Sequence, residues 1–204
     1  WSSASLIGVL GFMSKLYVII LFFIFPVLAD ELDDCGNNEQ ARLLSKLIIT
    51  DDGQMRTHIR CNMMLTVAAE AKAKAMAEFG LVTHNLGGSP NSRLREVGYK
   101  LPEHYGTEFN SNQVEAIAGG YSEARNVWDA FKRSEVHRTH LLGEHEFYVE
   151  QDEIGVALVN EWKSPHVEYW VVYLTKGYKK NQSYSGDFND IPNKTMFILK
   201  QSKK

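Results

Sequence analysis

The stretch Ile154-Gly155-Val156-Ala157-Leu158-Val159, followed closely by residues 167–174, decides the fold of this chain. Both runs are apolar, and the second is also rich in aromatic residues. Apolar runs of this length are typical of central strands that are covered on both faces. Residues 161–166 between them predict a hairpin connection. The sequence therefore predicts a pair of antiparallel strands at the centre of a sheet.

Helical patterns dominate the chain before these strands. Residues 38–49 and 62–79 each begin with an asparagine that can cap a helix and show the i, i+3, i+4 spacing of apolar side chains. In the second helix we expect the core-facing stripe to consist of Met64, Val67, Ala68, Ala71, Ala75 and Phe79. Lys72 is expected among the charged residues on the opposite side. Helices first and strands later predict an α+β domain or a three-layer α-β-α domain.

The beginning of the chain is interpreted as a targeting segment. Residues 1–12 are interpreted as a non-native or upstream extension, because Met13 offers a better start. From there, a short basic region and the apolar run 16–28 predict a secretory signal peptide over residues 13–29, cleaved after Ala29. The alternative is an uncleaved N-terminal anchor, although a comfortable membrane span needs about 20 apolar residues.

One domain remains after this segment. It is expected to cover residues 30–176, and a polar tail, rich in lysine, asparagine and serine, covers residues 177–204. Within the tail, residues 195–200 could add an edge strand to the sheet.

The balance of basic and acidic residues limits the classes of partner that this chain can bind. The chain has 22 basic and 25 acidic residues, for a formal net charge of −3. Because no basic stripe occurs before the last thirty residues, nucleic-acid binding has little support. We expect a secreted or periplasmic monomer with an unknown extracellular or cell-envelope ligand. It would contact a membrane only through an uncleaved signal segment.

Both cysteines of the chain, Cys35 and Cys61, lie early in the expected domain. Two cysteines in an exported chain most often form a disulfide. The alternative is two free thiols or two metal ligands. It is less favoured because neither cysteine belongs to a C-x-x-C pair.

The segment His137-Arg138-Thr139-His140-Leu141-Leu142 carries two histidines that could share one face of a helical turn. This spacing makes the segment a candidate metal or proton-transfer site. Short histidine pairs are also common by chance, so the remaining motifs must decide its meaning.

Five motifs occur in one order along the chain. They are Thr83-His84, Arg93-Leu94-Arg95-Glu96-Val97-Gly98-Tyr99, Val114-Glu115-Ala116-Ile117-Ala118-Gly119-Gly120-Tyr121, Trp128 with Ser134-Glu135-Val136-His137-Arg138, and Ile154-Gly155-Val156. In this order they resemble the bacterial branch of the CAP superfamily, which also contains cysteine-rich secretory proteins, antigen 5 and pathogenesis-related proteins. The resemblance spans residues 41–174.

The resemblance implies a three-layer α-β-α sandwich with a mainly antiparallel central sheet. It also implies a central cleft formed by His84, Glu115 and His137. Many family members hold a divalent metal between the two histidines, often zinc, and imidazole nitrogen is a good ligand for Zn²⁺. We therefore expect Zn²⁺ or another divalent cation at His84 and His137. His140 is either a third ligand or a residue of the helix surface.

The chain departs from the family pattern around this cleft. Phe131 occupies the position of a second glutamate in eukaryotic members, and His140 replaces the usual asparagine. Val114 and Ala116 replace the glycine and asparagine that normally flank the glutamate at Glu115. The expected cleft therefore contains a single carboxylate.

The function that the resemblance implies is a binding or scaffold module rather than an enzyme. One alternative is a metal-assisted hydrolase, in which Glu115 would be the catalytic general base toward a metal-bound water. Another is binding of sterols or other lipids, for which the sequence shows no clear apolar groove.

Overall fold

The computed structural model of this chain describes residues 35–177 and 198–199. Its helices and strands are α1 (Glu39–Ile49), β1 (Arg60–Cys61), α2 (Met63–Phe79), α3 (Pro90–Glu96), β2 (Glu115–Gly119), α4 (Ala124–Arg133), α5 (Glu135–Leu142), α6 (Glu146–Val149), β3 (Glu153–Asn160), β4 (Glu168–Thr175) and β5 (Ile198–Leu199). The proposed extension, the signal peptide at 13–29 and most of the polar tail lie outside these residues. Within the described ranges, no helix is both long and apolar enough to cross a membrane.

The strands form one mixed sheet in the order β1-β3-β4-β2-β5. β3 and β4 pair antiparallel along their whole length, from Glu153 opposite Thr175 to Asn160 opposite Glu168. β2 continues the antiparallel pairing on the other side of β4, while β1 and β5 are parallel to their neighbours. The predicted central hairpin is confirmed, and β5 lies within the segment predicted as an edge strand.

Hydrophobic clusters cover both faces of this sheet. Ile117 and Val171 point into a cluster with the alanine-rich side of α2. Their strand neighbours Ala116 and Val172 belong to a second cluster, built with side chains of α1, α4 and α5. Successive strand residues point to opposite faces, so the two clusters lie on opposite sides of the sheet. The chain is an α+β protein, as predicted.

The buried face of α2 differs from the predicted one. The helix starts after the Asn62 cap and ends at Gly80, which has a φ of 66°. Its buried residues are Leu65, Thr66, Ala68, Ala69, Lys72, Ala73, Met76 and Ala77. Only Ala68 of the predicted stripe is among them, whereas Val67 and Phe79 are 54% and 63% exposed. The prediction was wrong because α2 is apolar on two sides, and spacing gives the period of a helix but not which side is buried.

The Cys35–Cys61 disulfide is confirmed. The two Cα atoms lie 4.6 Å apart, and no free cysteine occurs in residues 35–177. Cys61 ends the edge strand β1, and Cys35 is fully buried just before α1. The bridge therefore attaches the start of the described chain to the sheet.

Candidate functional site

The carboxylate of Glu115 is the centre of the site. Glu115 is the first residue of β2, and its side chain is completely buried. Its Oε1 lies 2.7 Å from Nδ1 of His84. Its Oε2 accepts a hydrogen bond from the Tyr173 hydroxyl at 2.7 Å and lies 3.5 Å from Nη1 of Arg93. Both carboxylate oxygens are therefore occupied by protein groups.

Asn112 fixes the strand residue that carries this carboxylate. Its Oδ1 accepts hydrogen bonds from the backbone N–H groups of Val114 and Glu115, at 3.3 and 2.9 Å. Its Nδ2 donates to the Glu115 carbonyl at 2.9 Å and lies 3.3 Å from His84 Nδ1. One amide side chain thus sets both the start of β2 and the position of the histidine. Sequence reasoning did not single it out.

Lys72 is the most important residue that sequence reasoning missed. It was expected on the exposed side of α2, but it is fully buried. Its ammonium donates to the carbonyl oxygens of Thr83 and His84, at 2.6 and 3.0 Å. These bonds hold the loop after α2, so Lys72 is a positioning residue for His84. The signal that could have found it is its place on the stripe that contains Ala68, Ala69 and Met76.

Arg93 closes the site from α3. This helix starts with Pro90 after the Ser89 cap. The Arg93 guanidinium donates to the Leu86 and Gly88 carbonyl groups as well as to the Tyr173 hydroxyl, which lies 3.3 Å away. It therefore ties the loop before α3 to strand β4, next to the carboxylate.

Electrostatics keep the Glu115 carboxylate ionised. Burial by itself raises the pKa of Glu115, but the nearby Lys72, His84 and Arg93 outweigh it and bring the pKa below its ordinary value. Burial, and then the charge of Glu115, raise the pKa of Tyr173 well above its ordinary value, so its hydroxyl stays protonated and donates. The arrangement is a buried anion enclosed by hydrogen-bond donors and basic groups.

The pH dependence of stability is expected to report on Lys72. Burial lowers its pKa to about 8, although Glu115 acts in the opposite direction. The unfolded chain then binds more protons than the folded protein between pH 8 and the ordinary lysine pKa of about 10.4, so stability rises with pH in this window. We expect urea unfolding to show this rise in the wild type and a smaller rise in Lys72→Met. Equal slopes in the two proteins would contradict the assignment.

His137 is held by contacts with α4 and with the start of α5. Its Nδ1 lies 2.8 Å from the Ser134 hydroxyl, and its ring packs against Phe131 at a tilt of 43° with the centroids 4.9 Å apart. Phe131 belongs to the cluster shared by α1, α4 and α5. The structure therefore brings His84 and Glu115 together, while the contacts it shows for His137 are with α4 and the start of α5.

His140 holds α5 against the sheet. Its Nε2 lies 3.0 Å from the Leu174 carbonyl oxygen, and its ring packs against Tyr148 at a tilt of 43° with the centroids 4.7 Å apart. Burial lowers the pKa of His140 to about 3, so the ring is neutral and Nε2–H donates to the carbonyl. Arg56 donates to the carbonyl of His140 itself at 2.7 Å. A metal could reach His140 only through Nδ1 unless the bond to Leu174 breaks.

The described residues contain no complete set of metal ligands. Across residues 35–177 and 198–199, no group of three or more His, Cys, Asp or Glu side chains is arranged to hold a metal ion. Nδ1 of His84 is held by Glu115, so a metal could bind this side chain only through Nε2. A histidine oriented by a carboxylate in this way is common next to bound metals. The expected pair of ligands, His84 and His137, stays a prediction.

Comparison with known proteins gives no family for this chain. No family model matches the sequence, and no curated protein matches it. Among solved structures, an outer surface protein from Borrelia burgdorferi is similar, with a TM-score of 0.48 and 21% sequence identity. The match covers 67% of this chain and 90% of that chain. A similarity of this size carries no functional argument.

Proposed function

We propose that this chain is an exported, bacterial-type CAP protein that acts as a binding or scaffold module organised around His84 and Glu115. The observation that carries the proposal is the 2.7 Å contact between these side chains, 31 residues apart in sequence. The resemblance implies a cleft that contains both of these side chains together with His137. Helices against both faces of the sheet support the three-layer α-β-α sandwich that belongs to the same proposal.

The disulfide supports the proposed location of the protein outside the cytoplasm. Disulfides form and persist in oxidising compartments and are rare in the cytosol. The Cys35–Cys61 bridge thus supports a location outside the cytoplasm, and the proposed signal peptide at 13–29 would take the chain there. We place the protein in the periplasm or the extracellular medium.

The surroundings of Glu115 favour a module over an enzyme. A general base must come within hydrogen-bond reach of the proton that it abstracts. Here one carboxylate oxygen is held by His84 and the other by Tyr173 and Arg93, and the side chain has no exposed surface. The hydrolase alternative requires at least one of these bonds to open for a water molecule. A buried, paired carboxylate instead stabilises the surrounding loops and strands.

Cation binding at His84 and His137 is part of the proposal and has its own test. We expect calorimetry to detect Zn²⁺ binding by the whole protein at micromolar levels. His84→Ala and His137→Ala should each weaken it at least tenfold, because two imidazoles share the ion. His58, an exposed histidine, provides the control His58→Ala, which should bind like the wild type. No binding by the wild type, or an equal loss in His58→Ala, would exclude this site.

A hydrolase screen separates the two functional classes. Activity that is present in the wild type and abolished by Glu115→Gln would favour the enzyme. We expect no activity that depends on Glu115.

A further inference from the structure

Three polar atoms are buried in the region where α6 meets the end of the β3–β4 pair. They are the hydroxyl oxygens of Tyr148 and Thr175 and Oε1 of Gln151, and each of these residues is at most 1% exposed. Among the residues that the structure describes, none of the three atoms has a partner at normal hydrogen-bond geometry. Buried polar atoms in folded proteins nearly always pair with the protein or with ordered water. The three atoms therefore call for a bound molecule.

Contacts around Tyr105 place the three side chains in one region. The Tyr105 hydroxyl accepts a hydrogen bond from Nε2 of Gln151 at 3.0 Å. Burial raises the pKa of Tyr105 to about 12, and Gln151 and Thr175 act against this rise, so both side chains lie beside the same hydroxyl. Burial and then Tyr105 raise the pKa of Tyr148, whose carbonyl also accepts from the N–H of Gln151 at 3.0 Å. The three polar atoms thus surround one buried position next to Tyr105.

Gln151 determines what the bound molecule must do. Its Nε2 also donates to the Gln113 carbonyl oxygen, at 2.7 Å. A carbonyl oxygen can only accept, so this contact fixes which end of the Gln151 amide is the nitrogen. The atom without a partner is therefore an acceptor, and the bound molecule must donate a hydrogen bond to it. The hydroxyls of Tyr148 and Thr175 can each donate or accept.

The charge of Arg56 restricts the bound molecule further. Nε of this buried guanidinium donates to the Tyr148 carbonyl at 3.0 Å. A cation would lie close to this positive charge, and none of the three unpaired atoms belongs to a carboxylate that could compensate it. A simple anion cannot donate to Gln151. The smallest neutral molecule that both donates and accepts is water.

We propose that an internal water molecule binds between Tyr148, Gln151 and Thr175. It donates a hydrogen bond to Oε1 of Gln151 and forms one hydrogen bond with each hydroxyl. Buried water molecules make about three hydrogen bonds each, which matches the three atoms available here. This water joins α6 to the end of β4. It also lies next to α5, because the ring of His140 packs against Tyr148.

A high-resolution crystal structure of the whole wild-type protein tests the site directly. We expect a water peak within hydrogen-bond distance, about 2.6–3.2 Å, of Oε1 of Gln151 and of the Tyr148 and Thr175 hydroxyl oxygens. The absence of this peak, or a peak that misses any of the three atoms, would overturn the proposal. A direct hydrogen bond between two of the three side chains would also overturn it.

A double-mutant cycle tests whether the two hydroxyls share one water. Tyr148→Phe and Thr175→Val each remove one hydroxyl. Because both hydroxyls bind the same molecule, the loss in the unfolding equilibrium constant of the double variant should differ from the product of the single losses by about threefold or more. Urea unfolding measures these constants. Losses that simply multiply for this pair would overturn the shared site.

Ser45→Ala provides the matched control for the cycle. Ser45 is a buried residue of α1 whose hydroxyl donates to the Arg42 carbonyl. Helix α1 packs on one face of the sheet and Tyr148 belongs to the cluster on the other. The losses for Tyr148→Phe and Ser45→Ala should therefore multiply. Equal coupling in the two cycles would overturn the proposal, because it would not be specific to the water site.

Discussion

Replacing Glu115 with alanine is expected to lower the free energy of unfolding by about 3–5 kcal/mol, the usual cost of removing one partner of a buried ion pair. Lys72 and Arg93 would lose the negative charge that compensates their burial. The Tyr173 hydroxyl would lose its hydrogen-bond acceptor. The side chain of His84 would lose the carboxylate that holds it in place. This is the largest single effect that the structure predicts.

Glu115→Gln is the matched control for this change. It keeps the size of the side chain and one acceptor oxygen but removes the charge, so its cost should be smaller than that of alanine. Urea unfolding measures the loss of stability in both variants, provided that their m-values equal that of the wild type. A loss of less than about 1 kcal/mol for Glu115→Ala, within the range of ordinary surface substitutions, would show that the buried pairs contribute little.

Low pH should reduce the contribution of Glu115 to the stability of the folded protein. The pKa of Glu115 is lower in the folded protein than in the unfolded chain, so its stabilisation is present above the unfolded pKa. It is lost as the pH falls through the folded pKa. We therefore expect wild-type stability to fall more steeply below the ordinary glutamate pKa than the stability of Glu115→Gln.

The second large effect is expected from the disulfide. The double variant Cys35→Ala/Cys61→Ala should be less stable by roughly 3 kcal/mol, since the bridge closes a loop in the unfolded chain. The sequence separation of the two cysteines is 26. The burial of Cys35 adds a smaller packing loss.

Reduction of the wild type is the control for this second prediction. Added dithiothreitol should bring the unfolding midpoint of the wild type close to that of the double variant and leave the double variant unchanged. The same midpoint for oxidised and reduced wild type would contradict the predicted contribution of the bridge.

The central features of the fold were predictable because they depend on local chemistry. Two apolar runs with a hairpin between them define the β3–β4 pair, since a strand covered on both faces needs apolar residues throughout. The disulfide followed from the number of cysteines in a chain expected to be exported. The resemblance implied a cleft of His84, Glu115 and His137, and the structure shows contact between the first two.

The rest of the site depends on distant contacts. Apolar spacing marked α2 as a helix, but its two apolar faces left open which one is buried, and Lys72 was therefore placed in solvent. The bond between His140 and the Leu174 carbonyl joins residues 34 positions apart, and no local pattern indicates it. Residues 143–153 are rich in acidic side chains, yet Phe147 and Tyr148 are buried there in α6.

These contacts explain how the site organises the domain. Lys72 comes from α2, Arg93 from α3, Glu115 from β2 and Tyr173 from β4. Four elements and the loop with His84 thus meet at a single carboxylate. A rigid centre of this kind holds the surrounding loops in one conformation, as the proposed binding or scaffold module would require.

The most direct test is a ¹³C NMR titration of the Glu115 side-chain carboxyl, assigned by comparison with Glu115→Gln. We expect an ionised carboxylate throughout the neutral range, with half-protonation below the ordinary value of 4.5. A carboxyl that takes up its proton well above this value would contradict the account, because an enclosing set of basic groups and donors cannot stabilise a neutral acid.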